Sequence, residues 1–416
     1  GGERYQPDAA EPLYVGSTIL GGWNTGEGSL ALSAATSIEQ FHKETRSGIG
    51  TGADSPRVGA VVSVPLGDWN LTTDAALGRN FFTSSAGSIG VSATTNLPQI
   101  AFANSPTGQF VDDGGTPDDP GDDTVLDRDA MFERGGGGYV DIDDRPLSAD
   151  ALVGDDNWNI VTSTQTDGEK AAIAVDVAIH RFRTDTTARF AATKNAGSID
   201  TQSLSLTALT DGGFASRRDN ADPFVSGASG VGGSGHVLVL RPTTEAIFEA
   251  PLPDARGGSV NNPQIGVIGA LSLSATNDLT AATAAASYGK AEKFALNIGF
   301  AMTDYDGVAN ALLVDPSRYK MGETSLIATD KSTLLADAGS GASGSASIGV
   351  SPALVFADRA ADAAIITNPD KTSPFTGDWS LGSTTVAALI GGDAIVTSVA
   401  GAGLDEASCV DEDDDG

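Results

Sequence analysis

Hydrophobic and polar residues alternate along the stretch Val61–Gly78. Val62 and Leu66 fall on one side of an extended chain, in the two-residue period that is typical of a half-buried strand. An Ala/Leu-rich run follows, and either Thr72 or Thr73 is placed to cap a short helix there. The pattern therefore predicts a strand that leads into a short helix.

A similar arrangement returns later in the chain. In Asn297–Val314 an alternating run again precedes an Ala/Leu-rich segment, and Glu169–Thr193 is a weaker third copy. Flanking segments recur too: Gly28–Ala34 resembles Gly269–Ala275, and SIGVS occurs at Ser88–Ser92 and Ser347–Ser351. These matches indicate an internal duplication. Chance similarity between alternating strands is the alternative, and Thr376–Leu381 offers a rival match to Gly67–Trp69.

The fold class predicted from these patterns is mainly β. We expect tandem β-sandwich or barrel-like domains with short helices and long acidic and Gly-rich loops, because few segments show a helical period. The expected organisation is a β-sandwich domain with a short helix at 1–111, an acidic Pro/Gly-rich loop or linker at 112–156, a middle β-rich domain at 157–257, a C-terminal β domain that is a possible repeat of the first at 258–404, and an acidic tail at 405–416.

Composition makes a nucleic-acid-reading role improbable. The chain has 55 acidic and 24 basic residues among 416, a net charge of −31 at pH 7. Such a surface repels phosphate groups. Dissolved salt would screen the repulsion within the chain, so the composition suggests a halophilic or marine source. Thr384–Leu404 is apolar but contains Asp393 and several glycines, and we interpret it as strands and a turn. No membrane span is expected.

The densest run of acidic residues lies in Asp112–Asp156. Pro and Gly interrupt it throughout, so a solvated loop or linker is the first interpretation. Calcium binding is the alternative, because clustered carboxylates suit a hard cation, although the spacing of a helix–loop–helix calcium loop is missing. The candidate ligands would be Asp112, Asp113, Asp118, Asp119, Asp122 and Asp123. No other metal and no cofactor is expected.

Candidate catalytic residues do not form a recognisable set. The three histidines, His42, His180 and His236, have no metal-ligand spacing, and the single Cys409 is remote from them in sequence. No G-x-S-x-G sequence follows a strand, and no Gly-rich run precedes Lys-Ser or Lys-Thr. We therefore expect no enzymatic activity.

Three segments resemble the major tail (tail-tube) proteins of tailed viruses. They are Tyr14–Ala34, the strand and Ala/Leu-rich run of Val61–Leu77, and His236–Thr244. The resemblance implies a short β-sandwich with one packing helix, whose subunits form hexameric rings that stack into a tube. The chain is longer than a single-domain tube protein, so either the ring holds duplicated domains or the protein belongs elsewhere in the virion.

The expected function is that of a non-enzymatic virion protein that self-assembles into a ring or shell with other virion proteins. In a tail tube, viral DNA would pass without specific binding, because an acidic lumen repels it. A major capsid protein of a virus of a halophile is the main alternative, and a cell-surface filament or surface-layer subunit, located extracellularly, is another. Trp69 and Tyr305 are expected to fill the cores of the repeated domains.

Overall fold

β-Strands make up almost all of the part of the chain that can be described. The computed structural model describes residues 13–19, 28–38, 43–48, 57–78, 87–100, 110–112, 124–126, 159–168, 170–191, 200–218, 225–249, 266–316, 319–366 and 380–402. The strands are β1 Leu13–Ile19, β2 Leu30–Ser37, β3 Lys43–Gly48, β4 Val58–Ser63, β5 Leu66–Gly78, β6 Ser88–Asn96, β7 Phe110–Asp112, β8 Thr124–Leu126, β9 Ile160–Gly168, β10 Ala171–Ala191, β11 Asp200–Arg218, β12 Val225–Glu249, β13 Gly266–Val314, β14 Tyr319–Ser343, β15 Ala346–Val350, β16 Ala353–Ile366, β17 Ser380–Leu381, β18 Thr384–Gly391 and β19 Ala394–Ala402.

Seventeen of these strands form one sheet in which every pairing is parallel, while β7 and β8 form a separate antiparallel pair. Each strand pairs with the segment that the chain forms after it has wound once around the long axis of the molecule. The column Leu66–Ile179–Val237–Met302–Leu354 illustrates this arrangement. The last four of these residues are separated by 58, 65 and 52 positions. The chain therefore winds as a solenoid of stacked rungs.

In the described part of the chain, six rungs follow one another along the stack. Rung 1 contains β1–β3, rung 2 contains β4–β6 and β9, and rung 3 contains β10, β11 and the first residues of β12. Rung 4 runs from the rest of β12 to the middle of β13. Rung 5 continues through β13 and β14, and rung 6 contains β15–β19.

The predicted tandem β-sandwich with short helices is wrong. Leu66–Gly78 is a strand along its whole length, and so is the later segment that was predicted to end in a helix, which lies within β13. Leu71, Thr73 and Leu77 point inward with a period of two. Parallel neighbours on both sides of β5, in rungs 1 and 3, supply backbone hydrogen bonds. Tertiary pairing thus overrides the local Ala/Leu preference for helix.

The sequence repeats correspond to stacked positions only in part. Val62 lies in the same column of stacked residues as Ile298, and Leu66 in the same column as Met302, as successive strand pairings show. Leu30 and Leu271 likewise share a column. The two SIGVS segments do not stack on one another. The first belongs to β6 and the second to β15, which lie in different ladders. The recurring unit is therefore a rung of the solenoid.

Apolar side chains fill the core in rows that run from rung to rung. One row is Leu32, Val91, Leu206, Leu273 and Leu326, and its last three members are completely buried. A neighbouring group stacks the rings of Trp69, Phe182 and Phe214. Tyr305 belongs to that group and is completely buried, while Trp69 packs against it and is partly buried.

A chain of buried polar side chains also runs through the core. Hydroxyl groups hydrogen-bond from rung to rung, and the chain ends at Asn277, Asp330 and Tyr305. The members in order are Thr36, Thr73, Thr95, Thr186, Thr210, Thr244, Asn277, Asp330 and Tyr305. Each member is hydrogen-bonded to its neighbours in the chain, which offsets much of the cost of burying it. Among the described residues, the Asp330 Oδ1 atom is buried without a hydrogen-bond partner.

Two rungs turn the same corner on a glycine, at the position where rungs 4 and 5 hold Leu279 and Ser332. Gly212 in rung 3 and Gly392 in rung 6 have φ of 104° and 102°, a region that side chains with Cβ atoms rarely adopt. A Cβ at Gly392 would also overlap the carbonyl oxygen of Ser332 in the rung beside it. The chain turns here because only glycine allows both the conformation and the close approach.

Candidate functional site

One outer surface of the solenoid is apolar across five rungs. We call it the lateral face, and it consists of the outward-pointing residues of 58–66, 171–179, 231–237, 294–302 and 346–354. Every outward position in these ranges is apolar or glycine. Rung 2 contributes some of its most exposed side chains, with Val62 at 65% and Leu66 at 63%. Contiguous apolar surface of this kind is typical of an interaction site.

The lateral face arises because the larger apolar side chains of these strands point outward and the small or polar ones point inward, the reverse of the usual distribution. Inward positions of β10 are occupied by Ala172, Ala174 and Ala178, and also by the polar Asp176 and His180, all fully or almost fully buried. The inward Ala172 and Ala174 pack against Val225 of β12. The larger β-branched residues of the same strand are left on the outside, where they still favour the extended conformation.

Charged residues border the lateral face on both sides. Along the edge where the strands enter, the exposed cations are Arg57, Lys170 and Lys293, with Glu292 beside them. These residues precede the lateral face in rungs 2, 3 and 5. We call this border the entry edge.

The opposite border, the exit edge, carries charges of both signs. The Arg181 guanidinium lies 2.6 Å from the Asp68 carboxylate and holds the pKa of that carboxyl below its usual value. Arg241 bridges Asp304 and Asp306 at 2.6 and 3.4 Å. Arg183 and Asp358 belong to the same edge, in rungs 3 and 6. The exit edge therefore offers charges of both signs beside an uncharged surface.

A buried polar cluster lies behind the lateral face. His236 Nδ1 is 2.8 Å from the Ser216 hydroxyl, and its Nε2 is 3.0 Å from the Thr162 hydroxyl. Burial lowers the pKa of His236 to about 3, with further contributions from His180 and Arg218, so the ring is neutral. Burial raises the pKa of the nearby Asp176 carboxyl. A hydroxyl beside an imidazole can serve nucleophilic chemistry, but here both groups are completely buried and no substrate can contact them in this conformation.

The described part of the chain also contains a small polar cleft and an open end. The cleft has a volume of about 150 Å³ and is lined by Gln99, Asp211, Asp278 and neighbouring residues, which is smaller than typical ligand pockets. At the last rung Val386 continues a buried apolar row but is 45% exposed.

Most of the predicted calcium ligands lie outside the described residues. Asp112 is the last residue of β7, where it pairs with Thr124, but nothing further is described of Asp113, Asp118, Asp119, Asp122 and Asp123. His42 and Cys409 also fall outside. Within the described ranges, His, Cys, Asp and Glu form no group of three that could hold a metal ion. The same ranges contain no helix that is long and apolar enough to cross a bilayer.

Comparison with known proteins supplies no relative: no family model, curated protein or solved structure matches the chain.

The lateral face was not anticipated from the sequence. Its signal is present in the alternation at Val58–Leu66, where three of the four residues opposite the exposed ones are Gly59, Ser63 and Pro65, the fourth being Val61. Such partners indicate that the large residues face away from the interior.

Proposed function

We propose that this protein is a non-enzymatic structural subunit whose copies associate through the lateral face. The observation that carries the proposal is the continuous apolar surface over five rungs. Surfaces of this size and character are rarely left in water by a monomer. The occupant to which we commit is a second copy of this chain.

The dimensions of the lateral face support this occupant. Eight residue spacings of about 3.4 Å along each strand and five strands about 4.8 Å apart give a surface of roughly 27 by 24 Å, or about 650 Å². The charged edges would add to that area. A stable interface of ordinary size buries about 800 Å² on each partner, so the lateral face with its edges is large enough.

Charge supports the same occupant. Two copies with a net charge of −31 each repel one another over most orientations, and the repulsion is strongest at low salt. The lateral face carries no charged outward residue, and its entry edge displays Arg57, Lys170 and Lys293. Two copies can therefore meet at the lateral face with little repulsion.

The kind of assembly that we propose is a virion or cell-surface structure built from pairs of copies that meet at the lateral face. A ring or tube through which viral DNA passes remains one form, and a capsid shell or a surface filament are the others. None of these forms depends on the β-sandwich and packing helix that the tail-tube resemblance implied. Calcium bound at the acidic segment could assist such an assembly, as the carboxylate-rich sequence suggested.

The test is sedimentation velocity of the full chain over a range of concentrations in low and high salt. Wild-type protein should associate reversibly. A double variant, Ile179→Asp and Ile298→Asp, buries four charges in each pair of copies and should sediment as a monomer. The matched control is Thr207→Asp and Ser325→Asp, in the same rungs but on another outer surface, and it should associate like wild type.

Circular dichroism of each variant establishes that the strand content is retained. A wild-type protein that stays monomeric in both salts would overturn the proposal. Equal association of the lateral-face variant and the wild type would also overturn it, because association would then use another surface.

A further inference from the structure

We infer that two copies pack with their stacks antiparallel, around a twofold axis that runs along the strand of rung 4 at 231–237. This inference rests on the proposed function and specifies how the copies meet. Rung 4 is the middle of the five rungs of the lateral face. A twofold axis along it places rung 3 of one copy opposite rung 5 of the other, and rung 2 opposite rung 6.

The charges on the exit edge favour this orientation. Arg181 and Arg183 belong to rung 3, and Asp304 and Asp306 occupy the same two columns in rung 5. The antiparallel orientation therefore places two arginines opposite two aspartates, and the symmetry repeats this contact. The same orientation places Arg241 opposite its counterpart and Lys170 opposite Lys293. The bridges from Arg241 to Asp304 and Asp306 and the neighbouring Glu292 offset these like charges. Opposite charges across an interface set the orientation of the partners more than they set affinity.

The sizes of the side chains on the lateral face also favour the antiparallel orientation. Rung 5 contributes Phe294 and Phe300 to the lateral face, whereas the same columns of rung 3 hold Ala171 and Val177. Placing rung 3 opposite rung 5 thus sets large side chains against small ones. Alternation of large and small residues allows two surfaces to interdigitate.

The other face-to-face orientation packs the lateral face less well. A twofold axis along the stack would place each rung opposite itself and reverse the order of its columns. Phe294 would then lie opposite Met302, and Phe300 opposite Leu296, of the same rung in the second copy. Large side chains would meet large ones there, which hinders the interdigitation of the two surfaces.

The experiment exchanges charges at Arg183 and Asp306, which leaves the Asp68–Arg181 and Arg241–Asp304 pairs in place and removes only the longer contact of 3.4 Å between Arg241 and Asp306. Arg183→Glu and Asp306→Arg are each expected to weaken self-association by about tenfold, measured by sedimentation equilibrium of the full chain. A one-to-one mixture of the two variants should associate with an affinity within about threefold of the wild type, because each variant supplies the charge that the other lacks.

The double variant Arg183→Glu and Asp306→Arg should recover in the same way. Arg183→Gln and Asp306→Asn serve as milder changes, with smaller losses in the same direction. If the single variants lose affinity and neither the mixture nor the double variant recovers, the antiparallel orientation is overturned while association through the lateral face stands. If Ile179→Asp with Ile298→Asp leaves association intact, the proposed function fails as well.

Discussion

Replacing Asn277 by leucine tests whether the buried polar chain stabilises the solenoid. The Asn277 side chain accepts a hydrogen bond from Thr244 and donates to the Asp330 carboxylate and to the Val308 carbonyl, both at 3.1 Å. Leucine has a similar volume, so the substitution removes these three hydrogen bonds without leaving a large cavity. Asp330 keeps the hydrogen bond from Tyr305 at 2.8 Å.

The expected loss follows from those partners. Each neutral hydrogen bond contributes about 1 kcal/mol, and a buried group left without its partner costs about 1–3 kcal/mol. The gain from burying leucine offsets part of this, so the free energy of unfolding should fall by roughly 3 kcal/mol. Burial already raises the pKa of Asp330, and loss of the Asn277 donor should raise it further, because that hydrogen bond favours the charged carboxylate.

Urea unfolding at constant salt, followed by far-ultraviolet circular dichroism, measures the change. The control is Thr276→Val, next to Asn277 but pointing outward, and it should lie within about 0.5 kcal/mol of the wild type. An Asn277→Leu variant as stable as the wild type, or more stable, would refute the reasoning. Buried polar groups would then be tolerated by this core without stabilising it.

Three further predictions follow from local features. The pKa of His236 is lower in the folded chain than its ordinary 6.5, so the stability that its neutral form supplies is complete above pH 6.5 and is lost as the pH falls. At pH 5.5 the free energy of unfolding in urea should be about 1.4 kcal/mol lower than at high pH. The His236→Asn variant should not show this pH-dependent loss. Gly392→Ala should destabilise by about 2 kcal/mol or more, whereas Gly391→Ala, where a Cβ meets no atom, should be nearly neutral in the same assay. Arg359 donates hydrogen bonds to the carbonyls of Ser332 and Asp393 at 3.0 and 3.3 Å. The Arg359→Met substitution should therefore increase the rate of amide hydrogen exchange more in β18 and β19 than in β14.

The strands could be predicted from the sequence, but their connections could not. The alternation around Val62 correctly indicated a strand, and its alignment with Ile298 matches the register pairs. The helix after Leu71 was wrong because Ala and Leu favour helix only when no neighbouring strand supplies the backbone hydrogen bonds. Pairing partners 52–65 residues away are not visible in a local pattern.

The lateral face was missed for a related reason. Alternation shows which residues share a side of a strand, but it does not show which side faces the interior. In β10 the aliphatic side, with Ile173 and Ile179, faces outward, and the alanines with Asp176 and His180 face inward. The tertiary packing decides this, because two of the inward alanines of β10 pack against Val225 of β12 and only small or polar residues of β10 occupy that part of the interior.

Thiol reactivity on the lateral face tests the central claim most directly. Cys409 would be replaced by serine, and a single cysteine placed at Ile298 or, as the control, at Ser325 on another outer surface of rung 5. If copies cover the lateral face, the Ile298→Cys thiol should react with a maleimide many times more slowly in concentrated than in dilute protein, while the Ser325→Cys thiol reacts at the same rate in both. An Ile298→Cys thiol whose reactivity is independent of concentration would contradict the account.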